Sequence, residues 1–185
     1  VTVSQRRGFF NINSAVDYPF FPLVREFPED HVIVGGLEQI RTIFPSEITG
    51  VVDSLIDSTL HSKLVPLVKS TDKSTTVEQF FNLNPIDNPA FKNLNEPGRV
   101  LAALSTVESD TSIGVTQIVL IADSDFLSDN AGGRMPENQI FVLNTVDYLI
   151  GDSELISIRS REITTRPLAE VSDKAKSRWK WINRL

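Results

Sequence analysis

Apolar and polar positions alternate with two different periods along this chain, and the change of period separates its elements. Residues 1–30 have neither period. Tyr18-Pro19-Phe20-Phe21-Pro22 and Phe27-Pro28 are punctuated by proline, which forbids a helix or a central strand and predicts extended or turn structure held down by its Phe rings. Val32-Ile33-Val34 is a short apolar run stopped by Gly35-Gly36, and Ile40 to Phe44 reads as a strand ended by Pro45. Lys63 to Lys69 places Leu64, Val65, Leu67 and Val68 around Pro66, the pattern of an edge strand or a bulge. Residues 80–98, with Asn84-Pro85, Asn88-Pro89 and Glu96-Pro97-Gly98, read as a surface connection.

The last third is more regular. Arg99 to Thr106 predicts a buried strand, Ser109 to Ser112 a turn, and Val115 to Ala122 a second strand, apolar enough to be buried on both faces. From Glu137 to Ile150 the period becomes helical: Ile140, Leu143, Val146 and Ile150 form a stripe with Phe141 and Leu149 beside it. Gly151 follows as a cap. Leu155-Ile156-Ser157-Ile158 reads as a short strand. Strand, loop, helix and strand together predict a parallel βαβ unit with a right-handed crossover.

Composition narrows the chemistry. The 185 residues are 41% apolar and include eleven Phe, enough for a core that buries about 70% of the unfolded surface. No apolar run reaches the ~18–20 residues of a membrane span. With no cysteine, disulfides, thiolate zinc sites, Cys nucleophiles and thiol redox chemistry are excluded. The net charge of −6 argues against nucleic acid as the main partner. That charge is uneven. Residues 1–158 hold ten basic and 21 acidic residues (−11), and residues 159–185 hold eight and three (+5).

The basic end carries Arg178-Trp179-Lys180-Trp181. It reads either as a solvated terminal helix or as a juxtamembrane segment, since basic and aromatic side chains collect at the membrane–water interface. The chain begins at Val1 without an initiator Met, so it reads as a piece excised from a longer protein, with any signal or anchor outside it.

The densest polar cluster, Asp123-Ser124-Asp125-Phe126-Leu127-Ser128-Asp129-Asn130, follows the predicted strand at Ala122, where open α/β sheets place ligands. Calcium-loop spacing fails, because Leu127, Ser128 and Arg134 stand where an oxygen ligand, Gly and Glu are needed. An aspartyl-phosphate site lacks its Gly-Thr, replaced by Phe126-Leu127. A metal–nucleotide Asp-x-Asp fits the spacing without specificity. The competing reading is that Asp123 and Ser124 cap turns while Phe126 and Leu127 pack inward. Asn144, polar beside the apolar stripe, is left open between bonding that loop and facing solvent. There is no nucleophile elbow and no phosphate loop. His31 and His61 have no second His at ligand spacing, so no metal and no cofactor is expected.

Four stretches resemble one family. These are Tyr18 to Pro22 with Glu29-Asp30-His31, Gly36-Leu37-Glu38 and Phe44 to Ile48; Val65 to Thr71; Gly98 to Ala102; and, most specifically, Ile118 to Leu127, followed by Asn138 to Leu149, Leu155 to Arg161 and Arg166-Pro167-Leu168. Together they resemble the auxiliary component of ABC transport systems implicated in gliding motility, the GldG-like family. Ala122 stands where that family usually has Gly.

The resemblance implies an α/β, three-layer flavodoxin-like or class I glutamine amidotransferase-like fold, with an incomplete or mixed sheet because the N-terminal part of the family domain is missing. It implies one domain over residues 1–168 and a basic juxtamembrane segment over 169–185. It further implies a non-catalytic, periplasmic or extracytoplasmic protein, membrane-anchored through a helix outside this chain and partnered with ABC permease and ATPase subunits. The cysteine nucleophile of the amidotransferases cannot be present. Asp123, Ser124, Asp125, Asp129 and Asn144 are the candidate ligand or partner residues. A carbohydrate- or metabolite-binding module built on the loop after Ala122 is the alternative.

Overall fold

A computed structural model describes residues 1–7, 9–28, 30–50, 60–109 and 114–162. Its central element is an antiparallel sheet of three strands: β5 (Leu60–Lys69), β6 (Val100–Ser109) and β7 (Val115–Ile121), in the order β5-β6-β7. Two small antiparallel pairs precede it, β1 (Thr2–Arg7) with β2 (Phe10–Ala15) and β3 (Leu23–Val24) with β4 (Ile40–Arg41). Two helices follow, α1 (Pro136–Leu149) and α2 (Ser153–Glu162).

This corrects the expected fold. The described strands pair antiparallel throughout, so neither a flavodoxin-like nor an amidotransferase-like three-layer arrangement is present. The decisive segment is Leu155–Ile158, which lies in α2 and adds no parallel strand beside β7. A four-residue apolar run has no period of its own, and here tertiary contacts set its conformation. Ile156 is buried, and one turn on Arg159 reaches back to α1, placing Nη2 2.7 Å from Asp147 Oδ2 and donating from Nη1 to Asn144 Oδ1 at 2.7 Å.

Other expectations hold in detail. Pro66 lies on the outer strand β5, and the β5–β6 register shifts between Pro66 and Val68. The bulge turns consecutive residues Leu67 and Val68 into the core. β6 is central, with Leu101 to Leu104 all buried. Residues 80–98 are turns and loop apart from a 3-10 turn at Pro89–Phe91 and an isolated bridge from Glu96 to Ser74. Proline at the first position of α1 costs no hydrogen bond there. Gly151, at φ 84°, ends the helix in a Schellman arrangement: its N–H donates to Tyr148 O and the Asp152 N–H to Asp147 O.

Two expectations do not hold. β7 is not buried on both faces: Val119 and Ile121 pack against the core, while Ile118 and Leu120 are more than half exposed. Residues 2–7 and 10–15 are extended, as expected, but form the β1–β2 pair with all six β2 residues exposed instead of being held down on the core. The turn expected at residues 110–112 and the proposed boundary at 168, with the basic segment beyond it, lie outside the described residues.

The core joins one face of the sheet to α1 and to the β3–β4 segment. Ile33, Ile40, Leu67, Val68, Leu104, Phe126 and Phe141 lie at its centre. Turns from His31 to Leu37, closed by Val34 N–H to His31 O and Leu37 N–H to Val34 O, tuck Ile33 and Val34 inward.

Candidate functional site

The loop after β7 is a folded knot. Asp123 is buried, and its carboxylate accepts from two backbone amides, Asp125 N at 2.8 Å and Ile43 N at 2.7 Å. The first bond caps the turn that starts the loop. The second ties the loop to the chain just after β4. Burial pushes the Asp123 carboxyl above the usual carboxylate range, against the opposite pull of those amides. The loop then closes on itself: Ser128 N–H and Gly132 N–H both donate to Asp125 O, and Gly133 N–H donates to Ser128 O. A Cβ on Gly132 or Gly133 would collide with the carbonyl oxygens of Phe126 and Leu127, so this winding needs glycine at both positions.

Ser124, Asp125 and Asp129 point to solvent at the rim of the knot, while Asp123 is spent inside it. Asn144 is not in this cluster. It is fully buried, donates to Ile33 O at 3.0 Å and accepts from Arg159. The loop therefore places three of the five candidate residues together at the surface and gives the other two structural tasks. Arg178, Trp179, Lys180 and Trp181 lie outside the described residues. Among the described residues no three His, Asp or Glu side chains are placed to hold a metal ion, and no helix is long and apolar enough to cross a membrane.

The residue that organises this region was not among the candidate site residues. Asn138, fully buried in the first turn of α1, accepts from Arg41 N at 3.2 Å and donates to Arg41 O at 2.8 Å and to Phe126 O at 3.2 Å. Its carboxamide pairs with Arg41 as a neighbouring strand would, joining β4, the knot and α1. Thr145 satisfies its hydroxyl within the helix by donating to Phe141 O.

Packing these polar residues fixes how α1 is turned. Asn138, Phe141, Asn144, Thr145 and Asp147 are buried. Of the predicted stripe, Ile140 packs against the core, as does Phe141 beside it, while Leu143, Val146 and Ile150 reach solvent at 50%, 49% and 69% exposed. Leu149 beside it, and Leu155 and Ile158 on α2, are exposed too.

A second feature is an open groove of about 1010 Å³ between the proline-rich segment and the end of the sheet. Its aromatic wall is a cluster centred on Tyr18, whose ring meets Phe20, Phe21, Phe44 and Phe91 edge-on at 5.0–6.3 Å. Burial raises the Tyr18 hydroxyl pKa, and that hydroxyl donates to Leu83 O. Opposite, Arg99 is shared between two carboxylates: Nη1 donates to Glu47 at 3.0 Å, and Nη2 pairs with Glu96. The Thr75 hydroxyl and Arg99 hold Glu96 below the usual carboxylate range, and Glu47 and Glu96 in turn raise Arg99. The prolines and Phe rings of residues 18–22 announced packing in the sequence; nothing local announced that Phe91 and Arg99 would complete a concave surface.

No known protein family, curated protein or solved structure matches this chain.

Proposed function

We propose that this chain is a non-catalytic partner-binding domain, serving as the extracytoplasmic auxiliary component of an ABC-type transport system of the gliding-motility type. The transport context rests on the sequence resemblance, carried above all by Ile118 to Leu127. The binding role rests on one observation: α1 packs Phe141, Ile140, Val142 and Tyr148 on the core beside buried Asn138, Asn144 and Thr145, yet turns Leu143, Val146 and Ile150 outward. A helix that only stabilised its own domain would have no use for a second, exposed apolar stripe. Exposed apolar side chains on neighbouring turns of one helix, with Leu149, Leu155 and Ile158 exposed as well, suit a protein contact. The contact is with a transporter subunit, membrane-anchored beside it.

The loop reading finds less support. Asp123 has committed both carboxylate oxygens and Asn144 is remote in role, which leaves only exposed Ser124, Asp125 and Asp129 for a sugar or metabolite.

Co-expression with the permease and ATPase subunits encoded beside the parent gene tests the proposal. The unaltered chain should co-purify with the permease, and Leu143→Glu or Val146→Glu should abolish this while leaving the circular dichroism unchanged. Co-purification of both variants at the level of the unaltered chain would overturn it.

A further inference from the structure

We propose that the groove between the proline-rich segment and the end of the sheet binds a short basic peptide segment with aromatic or aliphatic side chains between its Lys or Arg residues. This rests on a different surface from the one assigned to the transporter subunit and stands or falls independently of it.

The groove's volume of about 1010 Å³ is at the top of the range for binding pockets, about 300–1,000 Å³. It is partly open to solvent, which leaves room for an extended segment. Phe44 and Phe81 line it with 45% and 56% of their surface exposed, beyond what the packed rings of the Tyr18 cluster need. Phe44 also holds a left-handed backbone, φ 48°, a conformation costing an aromatic residue on the order of 1–3 kcal/mol. The other left-handed non-glycine residues among those described, Gln79 and Asp87, do not themselves line the groove.

Charge selects the ligand. Three carboxylates, Asp17, Glu47 and Glu78, line the groove against Lys73 and Arg99. Arg99 is already shared by Glu47 and Glu96, so it offers little to an anion. The carboxylates of Asp17 and Glu78 and the ammonium of Lys73 have no hydrogen-bond or ion-pair partner among the described residues, so the free charge of the lining is −1 and favours a cation. The hydroxyls on the opposite wall are largely occupied in turns: Ser70 accepts from Arg99 N, Thr71 from Lys73 N, and Ser74 donates to Glu96 O and Pro97 O. That wall is a poor hydrogen-bonding partner for a sugar. Free carboxylates beside exposed Phe rings suit Lys or Arg, which pair with the former and lie over the latter. The −11 charge of residues 1–158 adds a long-range field that draws in a cation.

Fluorescence anisotropy on the purified chain tests this with a labelled, end-blocked pentapeptide alternating Lys and Phe. The comparison probes are the same peptide with Glu for Lys, and cellohexaose as competitor. The basic peptide should bind saturably and the acidic one not. Asp17→Asn with Glu78→Gln should weaken binding about threefold to tenfold, as expected for two exposed charge pairs, and Phe81→Ser should weaken it further. Glu108→Gln, at the opposite end of β6 from Arg99, should leave binding unchanged and so separates the site from general attraction to an acidic protein. Equal binding of the acidic peptide, equal loss in Glu108→Gln, absence of saturable binding, or displacement of the peptide by cellohexaose would each overturn the proposal.

Discussion

Replacing Asn138 by Ala asks directly whether α1 is turned as described. The side chain is fully buried and makes three hydrogen bonds, to Arg41 N, Arg41 O and Phe126 O. A net contribution of about 1 kcal/mol per bond, together with the penalty for leaving these backbone groups dry, gives a loss of about 3–4 kcal/mol. For a chain of this size the urea dependence is about 2 kcal/mol per M, so the unfolding midpoint should fall by about 1.5–2 M. Leu143→Ala on the outer stripe should shift it by far less, since half of that side chain already faces water. A helix rolled to bury its aliphatic stripe reverses both results. Asn138→Ala would then act as a surface change within about 0.5 kcal/mol, and Leu143→Ala would cost about 2–5 kcal/mol. That reversal would refute the orientation on which the proposed function depends.

Three further outcomes follow from the same geometry. Asp123→Ala removes the acceptor for Ile43 N and Asp125 N and should cost about 2–3 kcal/mol in urea unfolding; a neutral result would show that the knot does not depend on this carboxylate. Arg159→Ala leaves Asp147 and Asn144 without their partner and should destabilise by about 2–4 kcal/mol, with loss of amide-exchange protection in residues 153–162; unchanged protection would contradict a helix anchored by Arg159. Burial holds the His31 pKa below its ordinary value, so the folded state favours the neutral ring. Stability from this group is full above the ordinary histidine pKa of about 6.5 and is lost as pH falls through the lowered folded value. Urea midpoints should therefore drop from pH 8 to pH 5, and less steeply in His31→Gln; identical slopes would remove His31 as the cause.

The parts of this fold legible in the sequence are those set by local chemistry. Pro66 marked an outer strand with a bulge and the prolines of residues 80–98 marked a connection, because proline restricts its own backbone, and Gly151 closed α1 because glycine admits the left-handed cap. The orientation of α1 was illegible because its buried amides are paired by distant chain: Asn144 with Ile33, and Asn138 with Arg41. An amphipathic stripe says where apolar side chains lie on a helix; it does not say whether core or partner covers them. Residues 155–158 were misread for a related reason. Their helix depends on Arg159 reaching Asp147 and Asn144, which no local period reveals. At the polar cluster, the reading of Asp123 as a turn cap agrees with the structure, and the ligand role of exposed Ser124, Asp125 and Asp129 has no geometry of its own beyond their shared rim.

The most direct measurement of the central claim is the affinity of the purified permease for this chain and for its Val146→Glu variant, by surface plasmon resonance. A charge placed on a helix face that is half open to water should leave thermal unfolding within about 0.5 kcal/mol of the unaltered chain. Buried at an interface, the same unpaired carboxylate should weaken binding by about 3 kcal/mol, more than a hundredfold. Equal affinity of the two proteins would contradict the assignment of this stripe as the partner surface.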